Sequence, residues 1–354
     1  MMSSIARPSD LDSVAGGELM PTAGPAFRLL PEIKSSRLED VTRSISQDVS
    51  SKVKDHLARK GVTLVGENSR RQVMGRGRER FYKSLTMDSA RRLENFYPSL
   101  RHSALSTGFV PRLIEIERID EQVGLACFEY VRGRVGHTRD TKECFTLYCE
   151  LQTAALREST QPAQALIDVC RNEVSTWNEG LLQSWDPVNW SDPKILNWAG
   201  VDAAAMTEIG IPALRSVPSL LTALSGDEKC TPVHADLYVG NLLRTPDGRS
   251  VIVDWDEGYW GLPGMGLQIL LREAMDEGVE GLEYENLLEL APGFAALGLS
   301  EADLAIRTLA GAVVEIAGVR QSLRELNRPR ERHAAYLAAW ACRYAWAIKK
   351  AHSL

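Results

Sequence analysis

The segment at residues 233–260, VHADLYVGNLLRTPDGRSVIVDWDEGYW, constrains the fold more than any other part of the chain. The runs NLLRT and SVIVDW have the length and apolar content of short strands, and the PDGR between them is typical of a hairpin turn. The first strand starts at Asn241 and the second ends at Asp254, while Asp236 lies five residues before Asn241. The sequence therefore predicts two carboxylates and one carboxamide that converge at the open end of a hairpin.

These side chains are the kind of ligand that Mg²⁺ prefers. Carboxylate and amide oxygens are hard donors, and Mg²⁺ held by one or two of them keeps water and phosphate oxygens in its shell. Asp236 has a second interpretation, in which it faces away from a metal and orients a hydroxyl nucleophile. Each residue taken alone is also compatible with a turn or cap that only bonds the local backbone. Their grouping beside His234 favours a functional site.

The rest of the chain predicts an α+β protein in which a small antiparallel-sheet lobe precedes a larger, mainly helical lobe. Apolar residues at helical intervals between residues 38 and 60 indicate a leading helix. The following stretch, residues 61–131, has the pattern of about five strands with one helix inserted near residues 87–105. The domains predicted in this way are a flexible extension at 1–36, a small lobe at 37–130 and a helical lobe at 131–354.

Composition argues against several kinds of partner and compartment. The formal net charge of −6 gives no reason to expect nucleic acid or an anionic membrane. Six scattered cysteines without a C-x-x-C pair favour reduced thiols over disulfides or a zinc site. The chain has no run of about 18 apolar residues and no basic-then-apolar start. We therefore expect a cytoplasmic protein with no membrane or nucleic-acid partner.

The order H-x-D-x-x-x-x-N, followed by an apolar strand that ends in D-W, resembles the catalytic segment of the aminoglycoside phosphotransferase and choline kinase-like families. It stands here as HADLYVGN and IVDWD. Those families are small-molecule kinases, so the resemblance implies a bilobal, protein-kinase-like fold. It also implies that Asp236 is the catalytic base, that Asn241 and Asp254 hold Mg²⁺, and that His234 supports the loop.

The resemblance further implies which residues hold the phosphates of a nucleotide. Lys83, in ERFYKSL, matches the lysine of the third strand, which contacts the α- and β-phosphates. Glu94, in RRLENF, matches the helix glutamate that pairs with this lysine. The hairpin LVGENSRR resembles the turn that covers the phosphates, with Gly66 and Ser69 close to phosphate oxygens.

The segment between the lobes is the remaining nucleotide-binding part. ACFEYVRGR resembles the hinge of these kinases, and the backbone from Glu129 to Val131 would face an adenine or guanine ring. The resemblance thus implies ATP or GTP as co-substrate and Mg²⁺ as cofactor.

Downstream of the hairpin the resemblance fails. The families continue with a G-D-P-x-x-D segment, whereas this chain has GYWGLPGMG, with Leu262 and Gly266 at the two aspartate positions. Ala235 also stands where glycine is common. The second aspartate braces the catalytic loop in the families, so its absence implies either another brace or a looser loop. The intact metal positions favour an active enzyme.

The function implied by the resemblance is transfer of the γ-phosphoryl group of ATP or GTP to a hydroxyl of a small polar acceptor, such as an aminoglycoside-like antibiotic, a sugar or an amino alcohol. The acidic residues between Glu273 and Glu289 form either a rim that attracts a polyamine-like acceptor or a solvated helix face. Two alternatives stay open. One is a catalytically silent kinase-like protein that binds a nucleotide or a partner protein. The other is a metal-dependent phosphoester hydrolase, in which Lys83 and Glu94 have no role.

Overall fold

The computed structural model of the protein describes residues 47–67, 72–104, 108–178, 203–282, 284–325 and 348. The predicted flexible extension at 1–36 and the candidate phosphate-turn residue Ser69 lie outside these ranges. The domain boundaries expected near residues 37 and 131 remain predictions.

The small lobe is an antiparallel sheet with one inserted helix, as predicted from the alternation of short apolar runs. Its strands lie side by side in the order β1-β2-β3-β5-β4, and each neighbouring pair is antiparallel. Its elements are α1 (Gln47–Arg59), β1 (Thr63–Glu67), β2 (Val73–Arg76), β3 (Arg80–Thr86), α2 (Met87–Ala104), β4 (Leu113–Arg118) and β5 (Val123–Glu129).

The rest of the described chain is mainly helical and carries two small sheets. The sheets are β6-β8-β9 and β7-β10. The strands are β6 (Arg134–Val135), β7 (Thr231–Val233), β8 (Leu242–Arg244), β9 (Ser250–Ile252) and β10 (Tyr259–Gly261). The helices of four or more residues are α3 (Thr141–Glu158), α4 (Gln164–Asn178), α5 (Ile211–Leu220, preceded by a π-helical turn at Met206–Gly210), α6 (Leu267–Asp276), α7 (Tyr284–Leu290), α8 (Pro292–Ala296) and α9 (Glu301–Glu325). Among the described helices, none combines the length and apolar character needed to cross a membrane.

Helix α1 packs on the sheet through the apolar face that its sequence predicts. Val49, Val53 and Leu57 recur at intervals of four residues, and all three are buried. They form one cluster with Val73 of β2 and Tyr82 of β3. The leading helix is therefore part of the small lobe and covers one face of its sheet.

Helix α2 joins the small lobe to the helical lobe. It contacts β3, β4 and β5 on one side and α3 on the other. Leu93 and Leu100 of α2 are buried in the same core cluster as Phe145 of α3 and Ile252 of β9. The sheet and the predicted acidic hairpin therefore share one continuous hydrophobic core, which places the hairpin next to α2 and the inner end of β3.

The strand that follows the small lobe connects it directly to the hairpin. Strand β6 pairs with β8, so that Val135 lies opposite Leu243, and the Gly136 N–H donates to the Leu242 carbonyl at 2.7 Å. A side chain at Gly136 would collide with the Val239 carbonyl oxygen. Glycine is needed here because the backbones approach more closely than a Cβ atom allows.

Candidate active site

The acidic segment folds as the predicted hairpin. Leu242 of β8 pairs with Ile252 of β9 in antiparallel register, and the Val253 N–H extends the pairing by donating to the Asn241 carbonyl at 2.9 Å. Asn241 and Asp254 therefore flank the open end of the hairpin. The prediction that these two residues lie close together is confirmed, because a hairpin must bring its two ends side by side.

His234 anchors the loop that leads into this hairpin. Its side chain is 1% exposed, and its ring lies edge-on to Trp255 with centroids 4.7 Å apart. Nε2 lies 2.8 Å from the Val253 carbonyl, which can only accept, so Nε2 carries the proton. Nδ1 is then the acceptor for the Asp236 N–H at 3.2 Å. A neutral histidine thus ties the loop to the residue before Asp254.

Asp236 has both of its backbone polar groups held by side chains of the same motif. Its N–H is bound by His234, and its carbonyl accepts a hydrogen bond from Asn241 Nδ2 at 2.9 Å. Its own side chain is partly exposed. The spacing H-x-D-x-x-x-x-N therefore has a physical reason, because the histidine and the asparagine clamp the backbone of the aspartate from both sides and leave its carboxylate accessible.

Glu273 of α6 supports the same loop and was not identified from the sequence as a site residue. Its carboxylate accepts the Val239 N–H at 2.8 Å, and burial raises the pKa of Glu273 while this N–H opposes the increase. The acidic run was expected to be a substrate rim or a solvated face. For Glu273 neither holds, because its side chain is partly buried and accepts a hydrogen bond from the loop backbone.

Asp254 has an unusual backbone. Its φ of 68° makes it the one non-glycine residue in the left-handed region within the described ranges, a conformation that costs about 1–3 kcal/mol and clusters at functional sites. It starts the turn Trp255–Glu257, which packs against α2. This turn directs both Asp254 and Asp256 towards β3.

Lys83 of β3 is buried between these two aspartates. Its Nζ forms ion pairs with Asp254 Oδ1 and with Asp256 Oδ1, the latter at 2.9 Å. The lysine and Asp256 are 8% and 7% exposed, whereas 44% of the Asp254 side chain is accessible. Asp256 is therefore the buried partner of Lys83, and Asp254 is the accessible one.

The charges of this trio are strongly coupled. Burial alone would lower the pKa of Lys83, but attraction by Asp256 and Asp254 outweighs it and raises the pKa above its ordinary value, so the lysine stays protonated. Enclosure by protein and repulsion by Asp256 raise the pKa of Asp254, and Lys83 opposes this increase. Two carboxyl groups therefore share one ammonium at the open end of the hairpin.

Lys83 and Gly66 lie in one row across the sheet. Gly66 pairs with Met74 and Met74 pairs with Lys83, so two strand spacings of about 4.8 Å separate them. A bulge between Leu64 and Gly66 interrupts the pairing of β1 just before this row. Gly66 of β1 thus lies two strands from the lysine at the same level of the sheet.

Glu94 is placed differently from what the resemblance implies. It lies on α2 with its side chain exposed, whereas the buried Lys83 forms ion pairs with Asp254 and Asp256. The pairing of Lys83 with Glu94 stays a prediction that this structure does not exhibit.

The hinge, residues 129–133, leaves the sheet at the end of β5. The Glu129 N–H donates to the Arg112 carbonyl at 2.8 Å and the Tyr130 N–H donates to the Glu79 carbonyl at 2.9 Å. Glu129 and Val131 are both partly exposed. The hinge then runs into β6, which borders the hairpin, so a base held at Val131 would be adjacent to the site.

The residues at the hairpin fit a Mg²⁺ ion that is completed by water and phosphate. Because Asn241 Nδ2 is bound by the Asp236 carbonyl, the amide oxygen is the atom left for a cation, and Asp254 is accessible. Within the described residues, no group of three or more His, Cys, Asp and Glu could hold a metal by itself. Two hard oxygen donors are few, which suits Mg²⁺ bound together with a nucleotide more than a cation held by protein alone.

Solved structures of similar fold include several phosphotransferases. A spectinomycin phosphotransferase in complex with ADP and spectinomycin has a TM-score of 0.51 and 11% sequence identity, over 85% of this chain and 98% of that one. Choline kinase from Streptococcus pneumoniae has a TM-score of 0.51 and 13% identity, over 87% and 100%. Macrolide 2'-phosphotransferase from Brachybacterium faecium has a TM-score of 0.51 and 14% identity, over 82% and 97%. At these identities the likeness establishes the fold alone, and it is the protein-kinase-like fold that the family resemblance implies.

The sequence itself assigns the family. No curated protein matches the chain at the sequence level. Residues 67–299 match the phosphotransferase enzyme family, a span that runs from the end of β1 through the hairpin to the segment before α9. The sheet from β2 onwards, the clamped Asp236 loop and the lysine beside Asp254 all lie within this span, and the chain belongs to the phosphotransferase enzyme family.

Proposed function

We propose that this protein transfers the γ-phosphoryl group of ATP or GTP to a hydroxyl of a small polar acceptor. The observation that carries the proposal is the position of Lys83, which is buried against Asp254 at the open end of the hairpin that starts with the clamped Asp236 loop. A phosphate-binding cation, an accessible metal-binding carboxylate and a candidate base are thereby supplied from three separate segments.

Each residue has a defined task under this proposal. Phosphoryl transfer depends mainly on positioning and on neutralising the phosphate charge. Lys83 would contact the α- and β-phosphates, while Asn241 and Asp254 would hold Mg²⁺, which when bound neutralises charge on the phosphate oxygens. Asp236 would accept the proton of the acceptor hydroxyl as that oxygen attacks the γ-phosphorus, and the bond to the leaving nucleoside diphosphate breaks. Gly66, Ser69, Glu129 and Val131 would contact the nucleotide.

The acceptor is proposed only as a chemical class. Spectinomycin, choline and macrolides are named for the structurally similar enzymes, and all three are small molecules that carry hydroxyl groups. Glu273, which could have formed part of an acidic rim, is occupied by the Val239 N–H. We therefore assign Glu273 no part in acceptor binding, and we propose a small hydroxyl-bearing acceptor, such as an aminoglycoside-like antibiotic, a sugar or an amino alcohol, and a cytoplasmic protein without nucleic-acid or membrane partners.

The experiment is a transfer assay with matched variants. Purified protein is incubated with MgATP or MgGTP and a panel of aminocyclitols, macrolides, sugars and amino alcohols, and nucleoside diphosphate release and phosphorylated product are measured. Asp236→Asn should lower kcat by about 10²–10⁴-fold, because general-base catalysis contributes that much. Asp247→Asn is the control, because Asp247 is an exposed carboxylate at the other end of the same hairpin, bonded to Arg249, and transfer should be unchanged.

Transfer by Asp236→Asn at the wild-type rate would contradict the assignment of the base. The departure at Leu262 and Gly266 supports a second candidate, a nucleotide-binding protein without turnover. Mg²⁺-dependent nucleotide binding with no product from any acceptor would favour that candidate over the enzyme.

A further inference from the structure

The hydroxyl of Tyr148 lies beneath the candidate catalytic loop and uses its full hydrogen-bonding capacity there. Tyr148 is on α3 and is 0% exposed. Its oxygen accepts the His234 N–H at 3.0 Å and Gln152 Nε2–H at 2.9 Å, and it donates to the Met265 carbonyl at 2.8 Å. A hydroxyl has one donor and two acceptor positions. All three positions are therefore used. They bind the start of the loop, the turn after β10 and a side chain on the next turn of the same helix.

Gln152, one helical turn further along α3, extends this arrangement. Its Nε2 also lies 3.1 Å from the carbonyls of Pro232 and Met265, and its Oε1 accepts the Gly264 N–H at 2.9 Å. It is 0% exposed. Two neighbouring side chains of α3 thus hold β7, the first residue of the loop and the turn at 262–266.

Gly266 explains why this turn contributes no side chain to the loop. Its φ is 92°, and a Cβ atom built on it would collide with the Tyr148 hydroxyl and lie 3.0 Å from the His234 carbonyl oxygen. The space that a side chain at position 266 would enter is therefore filled by the tyrosine oxygen. The tyrosine hydroxyl and a side chain at position 266 cannot occupy this space together, so tyrosine at position 148 of α3 requires glycine in the turn.

A chain of hydrogen bonds connects Tyr148 to Asp236 and to the residue before Asp254. Tyr148 holds the His234 backbone, and the His234 ring binds the Asp236 N–H through Nδ1 and the Val253 carbonyl, just before Asp254, through Nε2. A displacement of His234 would move the candidate base and the candidate metal ligand together. Misplacement by about 1 Å can reduce an enzymatic rate by about 10²-fold.

We propose that Tyr148 is a positioning residue of this active site. Its hydroxyl holds His234, and through it Asp236, in the place required for transfer, and it takes the space that a side chain at position 266 would otherwise occupy. The kinetic part of this proposal rests on the proposed function, whereas the bracing of the loop does not.

Tyr97 offers a matched control for removal of the hydroxyl. It is 2% exposed, and its hydroxyl donates to the Pro111 carbonyl at 2.6 Å, away from the loop. Tyr148→Phe and Tyr97→Phe each remove one buried hydroxyl, so both should lower the melting temperature. Tyr148→Phe should lower kcat about 10- to 100-fold with nucleotide KM within about two-fold of wild type, and Tyr97→Phe should leave kcat within about two-fold.

Hydrogen exchange supplies a readout that needs no acceptor. In Tyr148→Phe, amides of residues 231–242 should exchange faster than in wild type and in Tyr97→Phe, while amides of the small-lobe sheet should not. Equal exchange of residues 231–242 in the two variants would overturn the proposal, as would equal kcat values. Absence of transfer by the wild-type protein would refute the proposed function alone. Hydrogen exchange of residues 231–242 would then test whether Tyr148 stabilises the loop.

A second pair of variants keeps the proposal testable if Tyr148→Phe does not fold. Gly266→Ala and Gly264→Ala both place a methyl group at positive φ, at 92° and 96°, but the Gly264 methyl would meet Leu304 at 2.8 Å and not Tyr148. Gly266→Ala should therefore speed exchange of residues 231–242 and lower kcat more than Gly264→Ala does. Equal effects of the two substitutions would overturn the proposal.

Discussion

Asp256 acquires its role, as the buried ion-pair partner of Lys83, only in the folded chain. It lies in a tight turn two residues after Asp254, is 7% exposed, and is 2.9 Å from Lys83 Nζ. A buried ammonium needs a partner that remains in place when the accessible carboxylate turns to a cation. Asp256 satisfies this requirement because it is buried, whereas Glu94 is exposed on α2.

We expect Asp256→Asn to weaken nucleotide binding more than Glu94→Gln does. With one carboxylate lost, Lys83 is held by Asp254 alone, and that residue is then less available for a cation. The KM for MgATP should rise by about tenfold in Asp256→Asn, which corresponds to roughly 1.4 kcal/mol. It should change by less than about two-fold in Glu94→Gln. The measurement is steady-state kinetics or nucleotide titration, and a larger effect in Glu94→Gln would restore the pairing that the family resemblance implies.

At the scale of elements, Asp140 fastens the hinge-following strand to the hairpin and to α3. It is 3% exposed, accepts two bonds from Arg134 of β6 at 2.6 and 2.9 Å, and one from Arg244 of β8 at 3.2 Å. The His137 N–H adds a fourth at 3.0 Å. Hydrogen bonds from Arg134 are the largest cause that holds the pKa of Asp140 well below its ordinary value, and Arg244 contributes in the same direction.

This ion-pair cluster should make part of the stability depend on pH. A carboxyl whose pKa is lowered on folding stabilises the fold fully above its unfolded pKa of about 3.9, and this contribution is lost progressively as the pH falls from there through the lower folded pKa. Asp140→Asn should reduce the free energy of unfolding by about 2 kcal/mol at pH 7, because hydrogen bonds to charged groups contribute on that order and water partly screens the two arginines. The difference between variant and wild type should begin to shrink below about pH 4 and continue to shrink as the pH falls towards the folded pKa of Asp140.

Urea unfolding at pH 7, 5 and 3.5 measures this difference. Asp247→Asn is again the control, because that carboxylate is exposed in the turn between β8 and β9 and solvent screens its ion pair. A difference between Asp140→Asn and wild type that stays constant across this pH range would contradict the proposed charge dependence.

For the whole molecule, the continuous core governs how the two lobes respond to a ligand. Core residues of α2, α3 and the hairpin belong to one cluster, and the candidate nucleotide site draws Lys83 from one lobe and Asp254 from the other. A ligand bound between them should stabilise the folded chain as a unit and not one lobe alone. We expect one unfolding transition that shifts on binding.

A nucleotide with Mg²⁺ should therefore raise the melting temperature of the entire transition. At a concentration 100 times its Kd, a ligand adds about 2.7 kcal/mol to stability, equivalent to roughly 3–4 °C for a protein of this size. Removal of Mg²⁺ with EDTA should abolish most of the shift, and Asp254→Asn should lose the Mg²⁺-dependent part. A shift of equal size with EDTA, or with nucleoside lacking phosphate, would contradict a metal- and phosphate-dependent site.

The sequence by itself determined the parts of the site that are local. The hairpin, the approach of Asn241 to Asp254 and the sheet with its inserted helix follow from short-range patterns, because strand alternation and turn residues act over a few positions. The family followed from the resemblance of one short motif. The family resemblance placed Lys83 on the third strand, where the structure has it.

Only the tertiary structure decided which distant residues meet. Lys83 and Asp256 are 173 positions apart, and Tyr148 and His234 are 86 positions apart, so no periodicity of the chain relates them. The missing aspartate at position 266 was visible in the sequence, but its replacement by a tyrosine hydroxyl was not. Whether the hydroxyl of Tyr148 reaches the loop depends on how closely α3 packs beneath it, and this packing is determined by the volumes of all the side chains between the helix and the loop.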